Sequence, residues 1–202
     1  MNFIKEFRKP ILLTVIWVSF FVSTWVYLRL YSADGYLGSA DEELSTGYYS
    51  EGLKDAKEAA FLNPFEANYQ RVLAKAYILS SLGKDKETVD ANKIKVIQYL
   101  EDAYTLNPNN LVTIRNEVPL YYFLALDLSA SGGAGTKTDE TYLPTTKNFL
   151  DMAKLRYKND AGVLVLVAKY EKKLGLIDDF NDTVAQVKVL RPDLLDWNAS
   201  LK

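Results

Sequence analysis

Apolar positions fall along the chain in two different patterns. From Ile11 to Leu28 they form an unbroken run, ILLTVIWVSFFVSTWVYL, which is 18 residues without a charge. At about 1.5 Å per residue such a helix covers roughly the 30 Å of a bilayer's hydrocarbon once Pro10, Arg29 and Leu30 extend it. The run is longer than the roughly 7–15-residue core of a secretory signal, and no small-x-small site follows it closely. A buried core helix would carry a polar face, and this one carries none. Beyond it the apolar residues recur at intervals of three and four, as in Ala56, Ala59, Ala60 and in Val96, Leu100, Ala103, the period of amphipathic helices. No stretch alternates like a strand. The pattern predicts an all-α protein: an N-terminal transmembrane helix followed by helices throughout.

Punctuation divides the helical part. Gly83 and Gly175 follow helical stretches as C-terminal stops. Asn-Pro at 63–64 and 107–108 ends one helix and opens the next. The charged stretch Lys84–Asn92 and the Gly/Thr-rich stretch Ser131–Tyr142 are expected to be exposed loops. The nearly all-apolar run Val118–Leu128 is expected to form a helix covered on both faces, with Pro119 kinking it or marking its start.

Four segments then align. The sets Gly52/Ala56/Ala59/Pro64, Val96/Leu100/Ala103/Pro108, Thr146/Leu150/Ala153/Lys158 and Phe180/Val184/Val187/Pro192 share one spacing. Their third members are separated by 44, 50 and 34 residues. With 34 as the base period, the excess matches the two expected loops. The run Leu73-Ala74-Lys75-Ala76-Tyr77, followed by Leu82-Gly83, and its partial echo in Val167-Ala168 and Leu174-Gly175, complete the pattern. Together these segments resemble the tetratricopeptide repeat family, whose 34-residue helix–turn–helix unit carries a small-residue/Tyr signature in its first helix and Ala…Pro in its second. The third unit departs by placing Pro119 before Leu120-Tyr121. The first departs because Ala33–Thr46 offers only Tyr36 and Ala40 in register. The resemblance implies an α-solenoid of about three to four helix pairs with two loop insertions.

The chain therefore reads as a short tail over 1–10, a membrane helix over 11–30, a juxtamembrane segment and weak first helix over 31–46, repeats over 47–193, and a cap over 194–202 in which Trp197 covers the last unit. Lys5, Arg8 and Lys9 before the span outweigh Arg29 after it, which predicts a cytoplasmic N-terminus and an extracytoplasmic repeat domain. Trp25 and Tyr27 fit the outer aromatic belt.

Composition removes several chemistries. With no Cys and no His, disulfides, thiolate nucleophiles and imidazole catalysis are absent. The overall charge of −2 includes +3 from Met1–Leu30, leaving the rest acidic and unlike a nucleic-acid footprint. The stretch SGGAGTKT lacks phosphate-loop spacing. Asp178, Asp179 and Asp182 read as helix-start carboxylates, and Asn181 and Asn198 head Asn-x-Ser/Thr sequons. No catalytic residue, cofactor or metal site is predicted.

Binding is what remains. In the family that the repeats resemble, first helices line a concave groove. Carried onto this chain, that implies Asn68, Arg71, Lys75 and Ile78 in the second unit, Val112, Arg115 and Tyr122 in the third, and Val165, Lys169 and Lys172 in the fourth. Such a groove favours an acidic peptide or a carboxylate, with the apolar third unit around Tyr121, Tyr122 and Phe123 as the competing surface. The expected role is a membrane-anchored scaffold in an extracytoplasmic membrane or envelope assembly. The alternative is an accessory or regulatory subunit of an envelope-polymer, glycan-building enzyme. The expected partners are other proteins, with lipid meeting residues 11–30.

Overall fold

The computed structural model describes residues 3–131 and 135–194. These residues form eight helices, α1 (Phe3–Thr46), α2 (Tyr49–Leu62), α3 (Ala67–Ser81), α4 (Lys86–Leu106), α5 (Leu111–Leu124), α6 (Leu143–Arg156), α7 (Ala161–Lys173) and α8 (Ile177–Leu190). One isolated antiparallel bridge, Leu126 to Thr138, is the extended element among them. The protein is all-α with an apolar N-terminal helix. The expected cap residue Trp197 and the sequon at Asn198 lie outside the described residues, whereas Asn181 is exposed on α8.

Helix α1 is continuous for 44 residues, so the expected division at residue 30 corresponds to no break. What changes there is burial. Residues 10–28 bury nothing against the protein, and their mean hydropathy reaches 2.0. From Arg29 onward the same helix becomes the first member of the first helix pair, burying Ala33, Ala40 and Leu44 against α2. Ala40 is in the expected register, Tyr36 stays exposed, and Ala33 is the contact that the sequence pattern did not mark. Gly52 of α2 lies so close to α1 that a Cβ would sit 2.7 Å from Leu44 Cγ. A small residue is needed for the backbones to approach.

The pairs α1–α2, α3–α4, α5–α6 and α7–α8 pack in series, and the first helices α1, α3, α5 and α7 touch their successors. Successive second helices are in much less contact, so the stack curves with first helices on the inner side. Aligned positions carry the packing: Gly52, Ala56 and Ala59, then Val96, Leu100 and Ala103, then Thr146, Leu150 and Ala153 are buried. In α8 only Val187 of its set is buried, and Thr183 takes the place expected of Val184. Leu73, Ala74, Ala76 and Tyr77 are buried at the α3 crossings. Gly83 and Gly175 adopt φ of 71° and 74°, left-handed values that a Cβ would strain. Asn63 and Asn107 cap α2 and α4 as the Asn-Pro pairs suggest.

Two local expectations are corrected, and a third gains detail. Lys84–Asn92 is not an exposed loop: Asp85 caps α4, accepting from Thr88 N at 2.8 Å and Thr88 Oγ1 at 2.7 Å, and Val89 is buried one turn on. The first insertion is therefore an extension of a helix of 21 residues. The Ser131–Tyr142 stretch, in its described part, is the expected loop and largely exposed, but it is anchored along its length. Asp127 N donates to Lys137 O at 2.8 Å and Asp139 N to Ala125 O at 2.8 Å, while Asp139 and Tyr142 are buried. That bridge also ends α5 at Leu124, four residues short of the expected Leu128, with Pro119 inside the helix.

Lys93 holds this connection in place. It is 1 % exposed, and its Nζ donates to Asp139 Oδ2 at 2.8 Å and Leu126 O at 2.6 Å while lying 4.4 Å from the Tyr142 ring centroid. Burial alone would raise the Asp139 carboxyl. The hydrogen bonds from Lys93 and Lys86 outweigh it and hold the carboxyl down at about 2.

Candidate functional site

The inner face presents side chains of α3, α5 and α7 one turn apart. Asn68 is half-buried and accepts a hydrogen bond from Arg71. Arg71 is half-buried too, and burial lowers its guanidinium pKa while the charges of Asp41 and Glu117 oppose that shift. Lys75 donates to Asp41 Oδ1 at 2.9 Å, and Arg115 pairs with Asp160 Oδ1 at 3.1 Å. Lys75 and Arg115 thus each pair with an acidic residue of a neighbouring helix pair, while Arg71 is held by Asn68 on its own helix. Asp41 precedes Lys75 by 34 residues, one repeat period, so equivalent positions on successive first helices meet. That period is the signal in the sequence that could have found the pair.

On α7 the two expected lysines diverge. Lys169 lies 5.7 Å from the Tyr170 ring centroid, whereas Lys172 lies 5.3 Å from that of Phe180 on α8. Lys172 therefore faces the helix pairing, and Lys173 takes the inward place, 5.3 Å from both Tyr122 and Tyr170. Tyr122 packs on Tyr170 at 4.9 Å and on Phe123 at 5.4 Å. Ile78 is buried and lines no groove, while Val112 is exposed and Val165 half-buried. The inner face thus divides into a neutralised polar half over α1, α3 and the start of α5, and an aromatic–lysine half over α5 and α7. Asn68, Arg71, Val112 and Asn116 line a small cavity of about 170 Å³ in the first half.

Below this face Glu117 is fully buried in α5, and neither carboxylate oxygen has a hydrogen-bond partner. Burial pushes its pKa up to about 8, with Arg71 pulling it partway back. Tyr121 beside it stacks on Phe149 at 3.8 Å. The competing surface suggested for Tyr121 is closed by that stacking, leaving Tyr122 and Phe123 as its accessible part.

Asp151, Glu171 and Asp179 bring carboxylate oxygens within 4.8 Å of one another. Lys154 Nζ sits among them, 2.8 Å from Asp151, 2.7 Å from Glu171 and 3.8 Å from Asp179, and Lys147 pairs with Asp179 as well. Two ammonium groups occupy the place that a cation would take, so the cluster is an ion-pair network tying α6, α7 and α8.

Neither protein-family models nor curated protein sequences give a match to this chain.

Proposed function

We propose that the protein is a single-pass, membrane-anchored scaffold of the tetratricopeptide-repeat kind, with its helical stack outside the cytoplasm and its inner face docking a protein partner. The observation that carries the reading is α1 itself. One helix runs from an apolar segment that buries nothing into the first pair of the stack, so the stack is joined to the membrane by a rigid rod rather than a tether. The charge flanking the span supports a cytoplasmic N-terminus.

Within the inner face the docking half is the one built on Tyr122, Phe123, Tyr170, Lys169 and Lys173. Lys75 and Arg115 are already paired with Asp41 and Asp160, and Arg71 is hydrogen-bonded to Asn68, so a ligand there must break contacts before making its own. Half-buried Tyr122 and Tyr170 and exposed Phe123, set beside lysines, suit an amphipathic, acidic segment of a membrane-complex subunit.

The test is capture from detergent-solubilised membranes at low and high salt, with co-purifying chains identified. Tyr122→Ala and Lys169→Glu should each lose the partner that the natural chain retains, the second most clearly at low salt. Lys75→Glu should keep it. Retention by both of the first two variants overturns the docking surface.

A further inference from the structure

We propose that the corner between α2 and α3, Phe61–Phe65, is a second membrane-contact element that inserts into the interface of the same bilayer that holds α1. The proposal rests on the reading of α1 as a span.

The corner carries two bare aromatic side chains. Phe61 is 72 % and Phe65 83 % exposed, on either side of Asn63-Pro64. Neither contributes to the core, so the fold has no use for a large apolar residue at either place. A polar turn residue would serve there at less cost in water.

Their position relative to α1 supplies the reason. Arg29 Nη2 donates to Phe61 O at 3.0 Å. A cleft of about 390 Å³ between the two elements is lined by Trp25, Leu28, Ser32, Phe61 and Leu62, and a second of about 160 Å³ by Trp25, Leu30, Pro64 and Phe65. The corner therefore lies at the level of residues 25–32. A hydrocarbon core entered at Ile11 ends about 20 residues later at a rise of about 1.5 Å per residue, which is the same level. Trp25 and Arg29, with the guanidinium 5.5 Å from the indole centroid, are the residue types that sit at such a boundary, the ring at headgroup depth and the long cation reaching outward.

The direction of the chain agrees. Helix α2 leaves the far end of α1 after Thr46 and packs back along it. Its last turn is thus the part of the first pair nearest the apolar segment, and α3 leads away again. Glu66, the charged residue nearest to the turn along the chain, turns to the α3 start, where its carboxylate accepts from Asn68 N at 3.4 Å. Lipid is the occupant because the corner is continuous with the lipid-facing helix: whatever surrounds Trp25 and Leu28 also meets Phe61 and Phe65. With two points of contact the stack is held at one tilt, so its inner face keeps a constant orientation to the membrane.

The absence of cysteine makes a site-specific test simple. Single variants Val18→Cys, Pro64→Cys and Tyr48→Cys of the full chain, labelled with nitrobenzoxadiazole, would be reconstituted into phosphatidylcholine vesicles. Quenching is then read with nitroxides placed shallow or deep on the acyl chain and with aqueous iodide. Tyr48 is exposed near the far end of α1, about 27 Å beyond Leu28 along the helix axis. Val18 should be quenched by the deep nitroxide, Pro64 by the shallow one with little effect of iodide, and Tyr48 by iodide alone. In a Phe61→Ser, Phe65→Ser background the Pro64 label should turn from lipid-quenched to iodide-quenched, while Val18 stays unchanged. A Pro64 label behaving like Tyr48 beside a lipid-quenched Val18 overturns the corner contact and leaves the span standing. An unquenched Val18 overturns both. A Pro64 label indifferent to the loss of the two Phe overturns their role.

Discussion

Glu117 is the residue whose chemistry departs furthest from its surroundings. Its carboxyl is buried without a hydrogen-bond partner, and its pKa is raised to about 8 in the fold. A carboxyl that holds its proton more tightly when folded leaves stability intact below the unfolded value near 4.5 and removes it as pH rises toward 8. Glu117→Gln keeps the shape and removes the titration. We expect the variant to match the natural protein in melting temperature at pH 5 and to exceed it at pH 9, by an amount corresponding to a few kcal/mol or less. A variant no more stable at pH 9 than the natural chain would mean that the carboxyl finds a partner. Asp139 has the opposite sign. Held down at about 2 by Lys93 and Lys86 despite burial, it contributes stability above about pH 4 that is lost as pH falls toward 2. Asp139→Asn leaves the Lys93 ammonium buried without its counter-charge and should cost about 3 kcal/mol at pH 7. Lys93→Met combined with Asp139→Asn should regain most of that, as read by urea unfolding. Neither residue was legible as a special site. Lys93 follows the charged stretch Lys84–Asn92 and Asp139 stands in the Gly/Thr-rich one, and only their meeting, 46 positions apart, gives them meaning.

At the scale of elements, the second helices were the most legible part of the chain. Gly52, Ala56 and Ala59, and their counterparts in α4 and α6, all point into the stack, because a close helix crossing admits only small or well-fitted side chains and so leaves a spacing that can be read. The crossing at Ala74 gives the direct test. Ala74 is fully buried, whereas Ala130 is exposed beside the second insertion. Ala74→Leu should cost about 1–3 kcal/mol by overpacking, and Ala130→Leu should stay within about 0.5 kcal/mol. Equal shifts in thermal unfolding would contradict the packing register. Helix ends governed by a side-chain cap were less legible. Asp85 starts α4 inside a run that composition marks as loop, because one capping carboxylate outweighs the polarity around it. The inner face was legible as a set of positions but not in its charge state. Lys75 and Arg115 stand on it as expected, yet their neutralising partners Asp41 and Asp160 come from other units. Lys173 rather than Lys172 faces Tyr122, since a difference of one residue turns a helical side chain by about 100°.

At the scale of the molecule, α1 joins the two patterns found along the chain, the unbroken apolar run and the three-and-four spacing, in one rod. Residues 10–28 have no protein to bury against, and residues 29–46 complete the first helix pair. An apolar surface of that extent is unfavourable in water, and the segment is long and apolar enough to cross a bilayer, which is the surrounding the proposed anchor gives it. The most direct measurement of this account is labelling with a membrane-impermeant maleimide in intact cells that express single-cysteine variants. Ile94, exposed on α4, and Val18, within the apolar half of α1, are the two positions that decide it. Ile94→Cys should react in intact cells at a rate unchanged by lysis, and Val18→Cys should react only after the membrane is dissolved and the protein denatured. Reaction of Val18→Cys as fast as Ile94→Cys would contradict the span, and reaction of Ile94→Cys only after lysis would place the stack on the other side of the membrane.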